Sequence, residues 1–255
     1  EIQREVAASG RKVVVLDDDP TGTQTVHGIP VLTEWSPEAL RPELETELSA
    51  FYILTNSRSL PLPMARSLNM EIGRNLVRAS QGLNRSFVVV SRSDSTLRGH
   101  FPGEVEALAD GLEQSFDGRL IVPFFLEGGR YTVNDTHYVD ERGQLIPAGQ
   151  TEFARDTVFG YRSSNLCDWV EEKTKGRVPA KEVLSISIRD LREGGPIRVT
   201  ERLMSLAGGA HCVVNAASYR DLEVLVRGLL EAEAQGRRFL YRTAASFVQV
   251  RAGIM

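Results

Sequence analysis

Phe87-Val88-Val89-Val90-Ser91-Arg92-Ser93-Asp94-Ser95-Thr96-Leu97-Arg98-Gly99-His100-Phe101-Pro102 is the stretch from which the fold is read. Its opening apolar run reads as a strand buried in a sheet. A polar loop follows, and Pro102, a residue favoured in a first helical turn, opens a helix that runs to about Gln114. Strand, polar loop and helix make one βα unit, and the chain repeats it. Apolar runs at 12–16, 51–54, 120–122, 183–188, 211–214 and 238–241 read as further strands, with helical patterns between most of them. In the clearest, over 218–234, Ser218 caps, Asp221 sits three residues on, and Leu222, Leu225, Val226 and Leu229 form one stripe before Gly236. The alternation predicts an α/β fold: a mostly parallel sheet with helices on both faces, a Rossmann-like three-layer arrangement. Residues 123–156 show no helical pattern and are expected to form an irregular or β-flap insertion.

At 255 residues the chain can bury a large core in one α/β domain, with or without a small appendage. A net charge of −4 gives no general attraction for nucleic acid or an anionic membrane, so neither is an expected partner. Lys occurs only at 12, 173, 175 and 181, and the remaining basic residues are Arg. An Arg excess suits bidentate grip on carboxylate or phosphate, although coding bias produces the same excess. Cys167 and Cys212 stand alone, which argues against a disulfide framework or a zinc site and suits a reducing cytoplasm. No run approaches the ~20 apolar residues of a membrane span, and no signal-peptide pattern opens the chain. The first residue is Glu1 rather than Met, so the chain is expected to be a segment of something longer.

Ligands of parallel sheets sit at the carboxyl ends of the strands, which selects the loops to inspect. The first is Asp17-Asp18-Asp19-Pro20-Thr21-Gly22-Thr23-Gln24. Three adjacent carboxylates repel one another unless a metal, a ligand hydroxyl or an Arg offsets the repulsion. The alternative is a solvated turn that caps the next element. The second loop, Thr55-Asn56-Ser57-Arg58, either binds a ligand or caps the helix beginning near Pro61 or Pro63. In the third, Ser91 to His100, the free N–H groups of the following helix favour an anion. Arg92 or Arg98 completes a carboxylate clamp there while Asp94 reads ligand hydroxyls; otherwise Arg and Asp pair and brace the loop. Arg130, Asp135 and His137 crowd the irregular segment, where a lone His is weak evidence by itself.

Asp18-Asp19-Pro20-Thr21-Gly22, Arg92-Ser93-Asp94-Ser95-Thr96-Leu97-Arg98-Gly99, Pro123 with Gly129-Arg130, His137-Tyr138-Val139 and Thr151-Glu152-Phe153-Ala154-Arg155-Asp156 occur in this order. Together they resemble the four-carbon acid sugar kinase family, which acts on threonate, erythronate and 3-oxo-tetronates. The resemblance runs from about Lys12 to Ile254. It implies a sugar-acid-binding N-terminal domain over 1–240, with 241–255 beginning the linker to a nucleotide-binding domain absent from this chain. It implies ATP and Mg²⁺ as cofactors, with no cofactor-binding residue here. Asp19 is the expected proton acceptor and Asp18 the alternate; Arg58, Arg92, Asp94, Ser95, Arg98, Arg130 and His137 are the expected substrate-binding residues. The residues themselves agree on one point: no Gly-x-x-x-x-Gly-Lys-Ser/Thr phosphate loop occurs. A homodimer is compatible with the sequence.

Two rival readings fit parts of the chain. Asp17, Asp19 and Thr21 match the Asp-x-Asp-x-Thr of a haloacid-dehalogenase-type phosphatase, and Leu54-Thr55-Asn56 looks like its second motif. That family also needs a later Lys followed by paired acidic residues, and the Lys residues at 173, 175 and 181 lack them. The other rival is a non-catalytic sugar-acid sensor or effector-like module built on the same pocket.

Overall fold

The structure, a computed structural model, describes residues 2–20 and 26–254. Residues 21–24 of the first polar loop lie outside the described residues. Eleven strands are formed among the described residues: β1 (Lys12–Asp17), β2 (Val31–Leu32), β3 (Ala50–Leu54), β4 (Phe87–Arg92), β5 (Gly118–Val122), β6 (Arg130–Val133), β7 (Thr136–Glu141), β8 (Gln144–Pro147), β9 (Leu184–Ile186), β10 (Ala210–Val214) and β11 (Phe239–Thr243). Eight make one sheet in the order β2-β3-β1-β4-β11-β5-β10-β9. Every pairing in it is parallel. The helices are α1 (Ile2–Ala8), α2 (Pro37–Glu45), α3 (Leu62–Ser80), α4 (Gly103–Leu112), α5 (Leu166–Lys173), α6 (Ile188–Arg192), α7 (Gly195–Met204), α8 (Tyr219–Ala234) and α9 (Ala245–Arg251).

The two-residue period of the strands divides the core. Val13 and Val15 of β1, Val88 and Val90 of β4, and Phe239 and Tyr241 of β11 join one apolar cluster with α1, α6, α7, α8 and α9. Val14, Leu16, Val89 and Leu240 join the other with α2, α3, α4 and α5. Both faces of the sheet are thus covered, which is why its central strands read as continuous apolar runs. The three-layer α/β expectation is met.

The insertion is a flap. β6, β7 and β8 form a separate antiparallel sheet, with Thr132 opposite His137 and Val139 opposite Ile146. Three other expectations need correcting. The strand expected over 183–188 stops at Ile186, because the Ser187 hydroxyl accepts the Asp190 N–H at 3.0 Å and Asp190 returns a bond to the Ser187 N–H, a capping box that starts α6. α1, α2, α6, α7 and α9 form in addition to the helices that the sequence suggested. The segment expected to leave the domain after residue 240 is part of its core instead. β11 lies between β4 and β5, and Tyr241, Thr243, Phe247 and Arg251 are fully buried.

Candidate functional site

β1 is flanked by β3 on one side and β4 on the other, so successive crossovers leave it in opposite directions. Such a reversal opens a crevice outside the carboxyl ends of the strands. The register places Asp17 beside Arg92, and Arg92 beside Thr243, along that edge.

The three adjacent carboxylates are held by guanidiniums in an alternating ladder. Arg92 Nη1 lies 3.1 Å from Asp17 Oδ1 and 3.7 Å from Asp18 Oδ1. Arg58 donates from Nη2 to Asp18 Oδ1 at 2.6 Å, from Nε to Asp18 Oδ2 at 3.2 Å, and from Nη1 to Asp19 Oδ2 at 3.1 Å. Asp17 and Asp18 are buried, while the Asp19 side chain is 27% exposed. Burial pushes the Asp17 carboxyl up to about 7 against the pull of Arg92. It pushes Asp18 up as well, against the Arg58 hydrogen bonds and the charges of Arg58 and Arg92. Gly99, at φ +109, lets the next loop close over this ladder: a Cβ there would stand 3.2 Å from Asp18 Oδ2.

In that loop Arg98 Nε donates to Asp94 Oδ2 at 2.7 Å, and the Arg98 backbone N–H and the Thr96 hydroxyl converge on the same oxygen. The pair braces the loop, as one of the two sequence readings had it. All three bonds use Oδ2, which leaves Asp94 Oδ1 for another donor. Burial raises the Asp94 carboxyl, but the Arg98 bond, the Arg58 charge and the Thr96 hydroxyl outweigh it and hold it at about 2. The Tyr161 hydroxyl donates to the Thr96 carbonyl at 2.7 Å and fixes the loop from the other side.

The flap brings up a second cation. Arg98 and Arg130 lie over the Phe153 ring, at 5.1 and 5.5 Å from its centroid. Among the described residues Arg130 has no ion pair or side-chain hydrogen bond, and its Nε is buried without a partner. His137 is placed otherwise than expected. It is fully buried; Nε2 bonds the Ser95 carbonyl at 2.7 Å and Nδ1 the Thr132 hydroxyl at 2.9 Å. Desolvation lowers it to about 4, so the neutral ring ties flap to loop and has no nitrogen left for a substrate. Ser95 supplies that carbonyl and is itself partly exposed.

The anion expected at the start of α4 meets an obstacle. The first turn carries its own buried carboxylate, Glu104, 4% exposed and bonded by Asn69 Nδ2 at 3.4 Å. Glu104 and Arg242 belong to the site and escaped the sequence reading. Glu104 looked like an ordinary helix residue, and Arg242 followed an apolar strand with no polar loop to flag it.

Mg²⁺ does not fit these residues as they stand. Among the described residues no cluster of three or more His, Cys, Asp or Glu side chains is arranged to hold a metal. Asp17 and Asp18 already face the guanidiniums of Arg92 and Arg58. No helix among the described residues is long and apolar enough to cross a membrane.

Fold and site together define a doubly wound α/β domain with an arginine-rich ligand crevice at its strand reversal. Residues 13–251 match the family described as "Sugar-binding N-terminal domain". The chain therefore belongs to the sugar-binding N-terminal domain family. It is 27% identical over 228 residues to a D-erythronate kinase of Heliobacterium modesticaldum, a match covering 85% of this chain and 47% of that protein. The chain thus spans about half the length of the curated relative it matches. In fold it is similar to a Haemophilus influenzae protein (TM-score 0.66, 21% identity, 94% of this chain and 55% of that one). It is also similar to a domain of unknown function from Bordetella bronchiseptica, crystallised with citrate as a domain-swapped dimer (TM-score 0.69, 20% identity, 94% and 55%).

Proposed function

We propose that this chain is the sugar-acid-binding half of a kinase that phosphorylates a four-carbon acid sugar of the threonate, erythronate or 3-oxo-tetronate type. The observation that carries the reading is Arg130: a half-buried guanidinium that, among the described residues, has no ion pair or side-chain hydrogen bond and packs, like Arg98, on the Phe153 ring. A carboxylate is the small group that gains most there, through charge-assisted bonds to a fork already oriented by the ring. Asp94 Oδ1 and Ser95 stand nearby to read hydroxyls. Asp19 is the better proton acceptor, because Asp18 spends both oxygens on Arg58 while Asp19 is the more exposed. ATP and Mg²⁺ would be held by a second domain, and a cytoplasmic location goes with such metabolism. The name of the curated relative supports the acid sugar as substrate class. The phosphatase reading has less behind it, since its nucleophile would be Asp17, which is fully buried against Arg92.

Calorimetry on the 255-residue chain with tetronates and the matching neutral tetritols tests this. Tetronate binds, and Arg130→Met weakens it about ten-fold or more, as the loss of a charge-assisted bond of ~1.5–3 kcal/mol requires. Tetritol affinity stays the same. Equal loss for both ligands, or no tetronate binding by the unaltered chain, refutes the reading. ATP-dependent phosphorylation by this chain alone refutes the division of labour.

A further inference from the structure

Arg242, the next-to-last residue of β11, lies against the Arg98 loop and is 2% exposed. Its Nη2 donates to the Arg98 carbonyl at 2.9 Å. The guanidinium lies 5.1 Å from the Trp169 ring centroid and 6.0 Å from that of Phe101. Nε and Nη1 have no hydrogen-bond partner, and among the described residues no carboxylate forms an ion pair with it. A buried cation left in this state is costly, and only part of that cost is offset by the two aromatic faces. An apolar residue would pack against the Phe101 and Trp169 rings without that cost, as buried charges replaced by apolar groups often show. The charge therefore has a use beyond packing.

Three carboxylates lie within its electrostatic reach, Asp18, Asp94 and Glu104, and Arg58 opposes it. We propose that Arg242 is a positioning residue of the sugar-acid site: its Nη2 holds the Arg98 loop by the carbonyl, and its charge, which no ion pair neutralises among the described residues, keeps the crevice attractive to an anion. This rests on the function proposed above. The groups facing Asp18 are Asp17 and Asp19 beside it, Arg58 from the β3–α3 connection, Arg92 of β4, Glu104 of α4 and Arg242 of β11. Burial pushes Asp18 up, and the three arginines pull it down.

Three variants separate charge from clamp. Arg242→Lys keeps the charge, Arg242→Gln keeps an N–H donor without charge, and Arg242→Met keeps neither. Two measurements apply: the ¹³C NMR titration midpoint of the Asp18 carboxyl without ligand, and the dissociation constant for tetronate at fixed pH and salt. With Gln or Met the midpoint rises and tetronate binds about ten-fold more weakly, while Lys keeps the midpoint and stays within about three-fold of the unaltered chain's affinity. If Gln and Lys behave alike in both measurements, Arg242 is only a clamp and the inference falls. If the unaltered chain binds no tetronate, the functional reading fails by itself. The Asp18 midpoint still decides, because no rise in Arg242→Gln overturns the role assigned to the charge.

Discussion

Replacing Arg58 with Met removes the central rung of the ladder and leaves Asp18 buried against a methyl group. The Arg58 side chain is 17% exposed and that of Asp18 5%, so solvent screens the pair little. Three charge-assisted bonds are lost, at 2.6, 3.2 and 3.1 Å. Breaking a buried pair by removing one partner costs ~3–5 kcal/mol. Arg92, 3.7 Å from the same Asp18 oxygen, remains and puts the expected loss at the lower end, ~3 kcal/mol. For a chain of this size that is roughly 6–12 °C in Tm. Urea unfolding of Arg58→Met, Asp18→Asn and the double variant reads the loss, with a coupling of about 1.5 kcal/mol or more within the cycle. The pH dependence has a definite sign. Without Arg58 the folded Asp18 carboxyl titrates still higher above its unfolded value of about 3.9. The penalty is therefore full above the variant's folded value and fades as pH falls through it, because a protonated Asp18 is no longer an uncompensated buried charge. A loss below about 1 kcal/mol, or one that does not change with pH, would refute the view that Arg58 compensates a buried charge.

Three further outcomes follow from the geometry. The neutral folded His137, at about 4, must lose stability as pH drops below its unfolded value of 6.5, so urea unfolding at pH 7 and pH 5 should show about 2 kcal/mol more acid loss in the unaltered chain than in His137→Gln. Gly99→Ala, at φ +109 with Asp18 Oδ2 3.2 Å from the added carbon, should cost roughly 1–3 kcal/mol in thermal unfolding and weaken tetronate binding; no change would mean that the loop relaxes freely. In a chain that phosphorylates tetronate, Asp19→Asn should lower kcat by roughly 10²–10⁴ with KM little altered, and near-normal turnover would move the proton acceptor to Asp18.

The sequence by itself determined the layered fold, since runs such as Val13 to Leu16 and Val88 to Val90 are apolar at every position only where a strand is covered on both faces. It also located the three loops, because polar residues directly after such strands can lie only at the carboxyl edge. Tertiary structure decided how the charges pair. Arg58 and Asp18 are 40 residues apart and Arg242 and Arg98 144 apart, distances over which no local pattern carries information. It also decided that His137 faces inward, as a strand residue opposite Thr132 whose ring is sealed between flap and loop. Arg130 reads in sequence like any other arginine of the flap. Only folding shows that it is brought to the Phe153 ring, as Arg98 is, with no ion-paired carboxylate among the described residues, because neutralisation depends on which side chains meet and not on which are neighbours along the chain.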